Sequence, residues 1–118
     1  MVDQVQRLLD REALRDLTAR YAFAVDDHDL DALATMFHPD AVFDRDGEIA
    51  RGWPEIAAML GASMRGFRRM IHTPHAVVVD LTGDDEATGM SSGHAELVTS
   101  RGVLLAAYRY ADRYARHE

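Results

Sequence analysis

From Asp10 to Val25, apolar Leu14, Leu17, Tyr21, Ala24 and Val25 recur at three- and four-residue steps. That spacing predicts an amphipathic helix with one buried stripe. A weaker helical lead-in is expected from Asp3 to Leu9. Asp29 has the character of an N-cap for a second helix, Leu30 to Phe37, with Asp31 in the first turn and His38-Pro39-Asp40 as the stop. Ala41 to Asp44 and Glu48 to Ala50 form two short strands around Asp46-Gly47, a hairpin dipeptide. Pro54 suits the first turn of a third helix, whose Ile56, Met59 and Leu60 share a face before Gly61 and Gly66. The pattern then turns to strand: Arg69 to Leu81, Glu86 to Thr99 and Val103 to Arg116, separated by Thr82-Gly83-Asp84 and Ser100-Arg101-Gly102. In the last strand Tyr108, Tyr110 and Tyr114 fall on one face, which marks it as buried or pocket-lining. Helices first and an antiparallel sheet afterwards define an α+β fold in which the curved sheet wraps the helices.

Composition narrows the function classes. At 118 residues and 47% hydrophobic content the chain supports a single domain, 1–118, with a real core. It has no cysteine, which removes disulfides, thiolate nucleophiles and thiolate metal sites. No apolar run approaches a membrane span, and Met1 leads directly into polar residues, so a cytoplasmic protein is expected, with no membrane partner. A formal net charge of -7 repels a phosphate backbone, so nucleic acid is not an expected partner.

Asp26 is the residue that asks for chemistry. It closes the first long helix at the end where backbone carbonyls already concentrate negative charge, which disfavours a carboxylate. Alone it reads as a tolerated surface acid; a histidine partner would change that, because carboxylate and imidazolium stabilise one another. Of the six histidines, His28, His38 and His117 fall in turns or near the terminus. His72 and His94 fall in strands, where a hydrogen-bonded structural role competes with a catalytic one. Strict alternation puts His72 with Pro74, Ala76 and Val78, puts His75 with Val77, Val79 and Leu81, and puts His94 with Met90, Ser92 and Val98. His72-Thr73-Pro74-His75 has metal half-site character, but residues three apart in a strand point to opposite faces, so no metal is expected there. Ala87, Gly89, Ser91, Gly93 and Ala95 make one face of the fourth strand very small, compatible with a packed helix, a bend or a ligand. No phosphate loop or Ser/His/Asp signature is present.

The chain resembles the SnoaL-like branch of the nuclear-transport-factor-2-like superfamily. The resemblance is carried by Arg20-Tyr21-Ala22-Phe23-Ala24-Val25-Asp26-Asp27-His28-Asp29, by Met36-Phe37-His38-Pro39-Asp40-Ala41, by Ile71-His72 running to Gly83-Asp84-Asp85-Glu86-Ala87, and by Tyr108-Arg109-Tyr110-Ala111-Asp112-Arg113-Tyr114. It implies a cone-shaped, cystatin-like fold, with helices packed in the concave face of a strongly curved antiparallel sheet around an apolar pocket. The family pattern continues past Val103 to Arg116 into a last strand that these residues do not supply, so a C-terminally short sheet is expected.

By the same resemblance, scytalone dehydratase and dehydrochlorinase members place a catalytic Asp at Asp26 and a catalytic His at His72, with a second dehydratase histidine at His94. His72 would remove a proton from carbon, Asp26 would fix its tautomer, and His94 would protonate the leaving group or hold a carbonyl oxygen. Two dehydratase tyrosines correspond to Val25 and Arg45, which separates this chain from that substrate. Tyr21, Val25, Met90, Ser92, Tyr108 and Tyr110 are the expected pocket residues. The expected function is cofactor-free elimination or isomerisation of a cyclic, largely apolar small molecule by a homodimer or higher homo-oligomer. The alternatives are a noncatalytic ligand-binding or dimerisation module, and a ketosteroid-isomerase-like or polyketide-cyclase-like enzyme. The isomerase alternative lacks an evident pair of protonated Asp and Tyr to hold an oxyanion.

Overall fold

The computed structural model describes residues 4–117. In chain order the elements are α1 (Gln4–Asp26), α2 (Leu30–Ala34), β1 (Val42–Arg45), β2 (Glu48–Arg51), α3 (Gly52–Arg65), β3 (Arg69–Leu81), β4 (Glu86–Thr99) and β5 (Gly102–Ala115). The expected lead-in from Asp3 to Leu9 is, over its described residues, the first turns of α1; Asp3 lies outside the described residues. No described helix is long and apolar enough to cross a membrane.

α1 ends in a Schellman-type cap: His28 takes the left-handed conformation at φ 55, its N–H bonds the Val25 carbonyl and the Asp29 N–H bonds the Ala24 carbonyl. α2 is shorter than the expected Leu30 to Phe37. Its start is as read, with the Asp29 carboxylate accepting the Ala32 N–H at 3.0 Å. Its end comes early because the Thr35 N–H and hydroxyl both turn back onto the Ala32 carbonyl. β1 and β2 pair through Asp46 and Gly47, both with positive φ, and the Asp44 carboxylate accepts the Gly47 N–H at 2.8 Å. α3 begins two residues before Pro54, and the Glu55 carboxylate caps it by accepting the Arg51 N–H at 2.9 Å.

Leu33 and Ile56 are fully buried and centre a core that joins the end of α1, α2, β2, α3 and Met70 of β3. Beyond this core, the three-stranded antiparallel sheet runs in the order β3-β4-β5. One edge of it, along β3, is covered by α1 through side chains. The Arg11 guanidinium donates to the Val79 carbonyl at 2.5 Å, that of Arg15 donates to the Val77 carbonyl at 3.2 Å, and the Asp26 carboxylate accepts the His72 N–H. A helix running antiparallel to the strand thus satisfies edge groups that would otherwise recruit another chain.

β3 carries a bulge between Pro74 and Ala76, so His75 is an extra residue in the ladder. This corrects the strict alternation read from the sequence. Met70, His72 and Pro74 share the inner face not with Ala76 and Val78 but with Val77, Val79 and Leu81, because one unpaired residue reverses the parity. The inner face continues across β4 as Ala87, Gly89, Ser91, Gly93 and Ala95, and across β5 as Tyr108, Tyr110, Asp112 and Tyr114.

Candidate active site

Asp26 and His72 meet where the C-terminal turn of α1 reaches the β3 edge. Asp26 Oδ1 lies 2.6 Å from His72 Nδ1. The same carboxylate accepts the His72 backbone N–H at 2.9 Å through Oδ2 and 3.1 Å through Oδ1. Three contacts to one residue explain how an acid survives in a last turn that contains no basic side chain. Both side chains are 16% exposed, so the pair is largely shielded from water. A carboxylate can only accept, so Nδ1 carries the shared proton, and in the neutral imidazole Nε2 is the nitrogen with the lone pair. The ring lines the cleft, while the carboxylate stands behind it.

The cleft has a volume of about 1000 Å³ and lies between the inner sheet face, α1 and the segment from Met36 to Asp44. Leu14, Leu17, Tyr21 and Val25 supply the helix wall, and Tyr108, Tyr110 and Tyr114 the sheet wall. Aromatic contacts run away from the dyad. The His72 and Tyr108 ring centres are 5.9 Å apart, those of Tyr108 and Tyr110 4.9 Å, and the Tyr110 ring meets Tyr21 edge-on at 6.1 Å. Tyr21 in turn meets Phe37 at 6.2 Å. The small face of β4 serves these rings. A methyl group built on Gly89 would fall 2.8 Å from Tyr114 Cε2, and one on Gly93 2.6 Å from the Tyr108 hydroxyl.

Burial sets the protonation of this wall. It pushes the Tyr21 phenol far up, helped by Tyr110 and the Asp112 charge, and pushes Tyr110 and Tyr114 each up to about 12. Burial also raises the Asp112 carboxyl, opposed by a hydrogen bond from the Tyr114 hydroxyl at 3.2 Å. The phenols are therefore neutral donors at neutral pH. Tyr21 and Tyr110 both line the cleft, where their hydroxyls are available to a ligand. Ser91 Oγ, buried on the inner face opposite Tyr110, has no hydrogen-bond partner among the described residues. Asp112 was not singled out from the sequence, although its position midway between Tyr110 and Tyr114 gives it their face.

The raised Asp112 carboxyl has a measurable consequence. Its folded-state pKa lies above the ordinary 3.8, so between those two values the native state holds the extra proton and stability falls as pH rises. Asp112→Asn removes that term. The difference in urea midpoint between variant and wild type should grow in the variant's favour as pH rises from 4 towards 7, levelling above the folded-state value. A constant difference would contradict burial as the cause.

His94, Met90 and Ser92 are corrected. All three occupy the outer face of β4, because residues paired with the inner His72, Pro74 and Val77 are Ala95, Gly93 and Ser91. His94 stands opposite Thr73 and Ala107, and its ring meets His75, not His72. Tyr21, Val25, Tyr108 and Tyr110 do line the cleft.

The architecture is of the nuclear-transport-factor-2-like and cystatin-like kind seen in solved structures. The chain belongs to the SnoaL-like domain family, whose model matches residues 6–118. It is similar to Rv3472, a function-unknown protein from Mycobacterium tuberculosis solved as its D26N variant, with 26% identity and a TM-score of 0.87 over 100% of this chain and 69% of that one. A scytalone-dehydratase-like protein from Novosphingobium aromaticivorans DSM 12444 superposes with a TM-score of 0.89 at 18% identity, over 98% of this chain and 80% of that one. The hexachlorocyclohexane dehydrochlorinase LinA-type3 from Novosphingobium barchaimii LL02 gives 0.88 at 21% identity, over 98% and 82%. The last two likenesses carry the fold alone. No curated protein matches the chain.

Proposed function

We propose that the protein is a cofactor-free acid–base enzyme of dehydratase type, acting by elimination on a cyclic, largely apolar small molecule. The observation that carries this reading is the 2.6 Å contact between Asp26 and a His72 ring that lines the cleft. His72 Nε2 takes a proton from carbon, the C–H electron pair becomes the new double bond, and the leaving group departs from the adjacent carbon. Asp26 holds the tautomer that makes Nε2 basic and stabilises the imidazolium that forms. The Tyr110 phenol, kept neutral by burial in the cleft wall, donates to an oxygen of the substrate or leaving group. His94 has no part in this scheme. The dehydratase-like and dehydrochlorinase neighbours support the reaction class through the shared fold only.

One observation favours a second reading. Two phenols held neutral by burial, Tyr21 and Tyr110, line the cleft and are donors suited to an enolate oxygen. With such a substrate the same base would move a proton and expel nothing, giving isomerisation. Incubating the protein in D2O with cyclic ketones that do or do not carry a β-hydroxyl or β-halogen separates the outcomes. Loss of the β-group supports elimination, and deuterium incorporation with the group retained supports isomerisation. Ligand bound in the cleft but recovered unchanged and undeuterated across the panel would make the noncatalytic binder the correct reading.

A further inference from the structure

At the β3 bulge two imidazoles lie against each other on the sheet face that points away from the cleft. His75 is the inserted residue, and its side chain stands on the exposed outer face. His75 Nε2 and His94 Nδ1 are 2.5 Å apart, with ring centres 4.6 Å apart and planes inclined by 33°. Two nitrogens at that distance face each other along their lone pairs, so only one proton fits between them. We propose that this pair is a binding site for a late first-row divalent transition-metal ion, with imidazole nitrogen as the protein ligand on both sides.

Converging imidazoles are the ligands these ions prefer, and the geometry is close to what one requires. Metal–nitrogen bonds of about 2.0–2.1 Å at a tetrahedral centre need the two nitrogens about 3.3 Å apart. Reaching that from 2.5 Å takes a small rotation of side chains on an open face. His94 is flanked along its own strand by Ser92 and Glu96, and across the ladders by Thr73 and Ala107. On this face Arg109 stands opposite Ser92 rather than opposite His94. Among the described residues no third His, Cys, Asp or Glu completes a cluster. Water therefore fills the remaining positions, which makes this an open site rather than a closed structural one.

Equilibrium dialysis against Cu2+ and Zn2+, with electron paramagnetic resonance of the copper form, tests the site. One ion per chain should bind, copper more tightly than zinc, with hyperfine structure from two nitrogens. His75→Ala and His94→Ala should each weaken binding by at least the roughly 10- to 100-fold typical of losing even an outer partner of a metal ligand. His75→Asn and His94→Asn give the same answer if the alanine variants fold poorly. His72→Ala and His38→Ala should leave the affinity unchanged, the latter because His38 and His117 form another ring pair, with centres 4.9 Å apart. Unaltered binding in the His75 and His94 variants, equal loss in the His72 or His38 variants, or a single-nitrogen spectrum would each overturn the proposal.

Discussion

Asp26→Asn is expected to lower turnover by about 10²- to 10⁴-fold, the usual contribution of a positioned base, while the protein stays folded. The variant is nearly isosteric, so the outcome turns on hydrogen-bond polarity. Asp26 now accepts from both the ring and the backbone N–H of His72. An asparagine can accept from both only through Oδ1, 2.6 Å from the ring nitrogen and 3.1 Å from the backbone nitrogen. With its oxygen on the ring, its NH2 opposes the backbone donor that lies 2.9 Å from Oδ2. With its NH2 on the ring it donates to Nδ1, and the imidazole proton moves to Nε2, where the base should be. Either arrangement removes the working tautomer or strains the contact, and neither empties a cavity. His72→Ala should be at least as damaging to turnover, because it deletes the base itself. The checks are initial rates on whichever cyclic substrate the panel identifies, beside circular dichroism and a urea midpoint for each variant. Full activity in Asp26→Asn would defeat the dyad. An unfolded variant would instead show that the carboxylate serves mainly to close the β3 edge.

The long helices and strands were legible in the sequence because each carries its pattern over many residues. β3, from Arg69 to Leu81, and β4, from Glu86 to Thr99, match the expected spans, and β5 begins and ends one residue earlier than read. The pairing of the first-helix carboxylate with His72 rested on resemblance, since no local pattern relates residues on α1 and β3. What the sequence concealed was parity. A bulge has no period of its own, and one extra residue at His75 exchanges the faces of everything after it. Pro74 was the available signal: without an N–H it cannot contribute fully to a ladder and is confined to edges and bulges, and it occupies both here. His94 was misplaced for a related reason. The small residues of β4 were left without an assigned neighbour, so the histidine face could be taken as the inner one. The β5 register shows the tyrosines paired with the small residues, which sends His94 outward. Asp112 followed from alternation alone but was passed over, because a carboxylate among tyrosines reads as solvent-facing until its strand neighbours are known.

The glycine beneath Tyr108 should prove the most sensitive backbone position of the sheet. A methyl group on Gly93 would stand 2.3 Å from the Thr73 carbonyl oxygen and 2.6 Å from the Tyr108 hydroxyl. The tyrosine can rotate away, but the carbonyl belongs to β3 immediately before the bulge, and moving it means moving the ladder that presents His72. Overpacking of this kind costs about 1–3 kcal/mol or more. The gain from restricting the unfolded chain, about 0.4–1 kcal/mol for Gly to Ala, is too small to offset it. Gly89→Ala is the internal control. The atoms nearest its methyl belong to the Tyr114 side chain, at 2.8 and 2.9 Å, and that ring can swing into the cleft. Gly93→Ala should therefore lose at least about 2 kcal/mol in urea unfolding, and Gly89→Ala less than about 1 kcal/mol. Comparable midpoints for the two would mean that the ladder at Thr73 yields as easily as a side chain. In that case the position of His72 would depend on Asp26 and the α1 edge contacts rather than on the rigidity of β3 and β4.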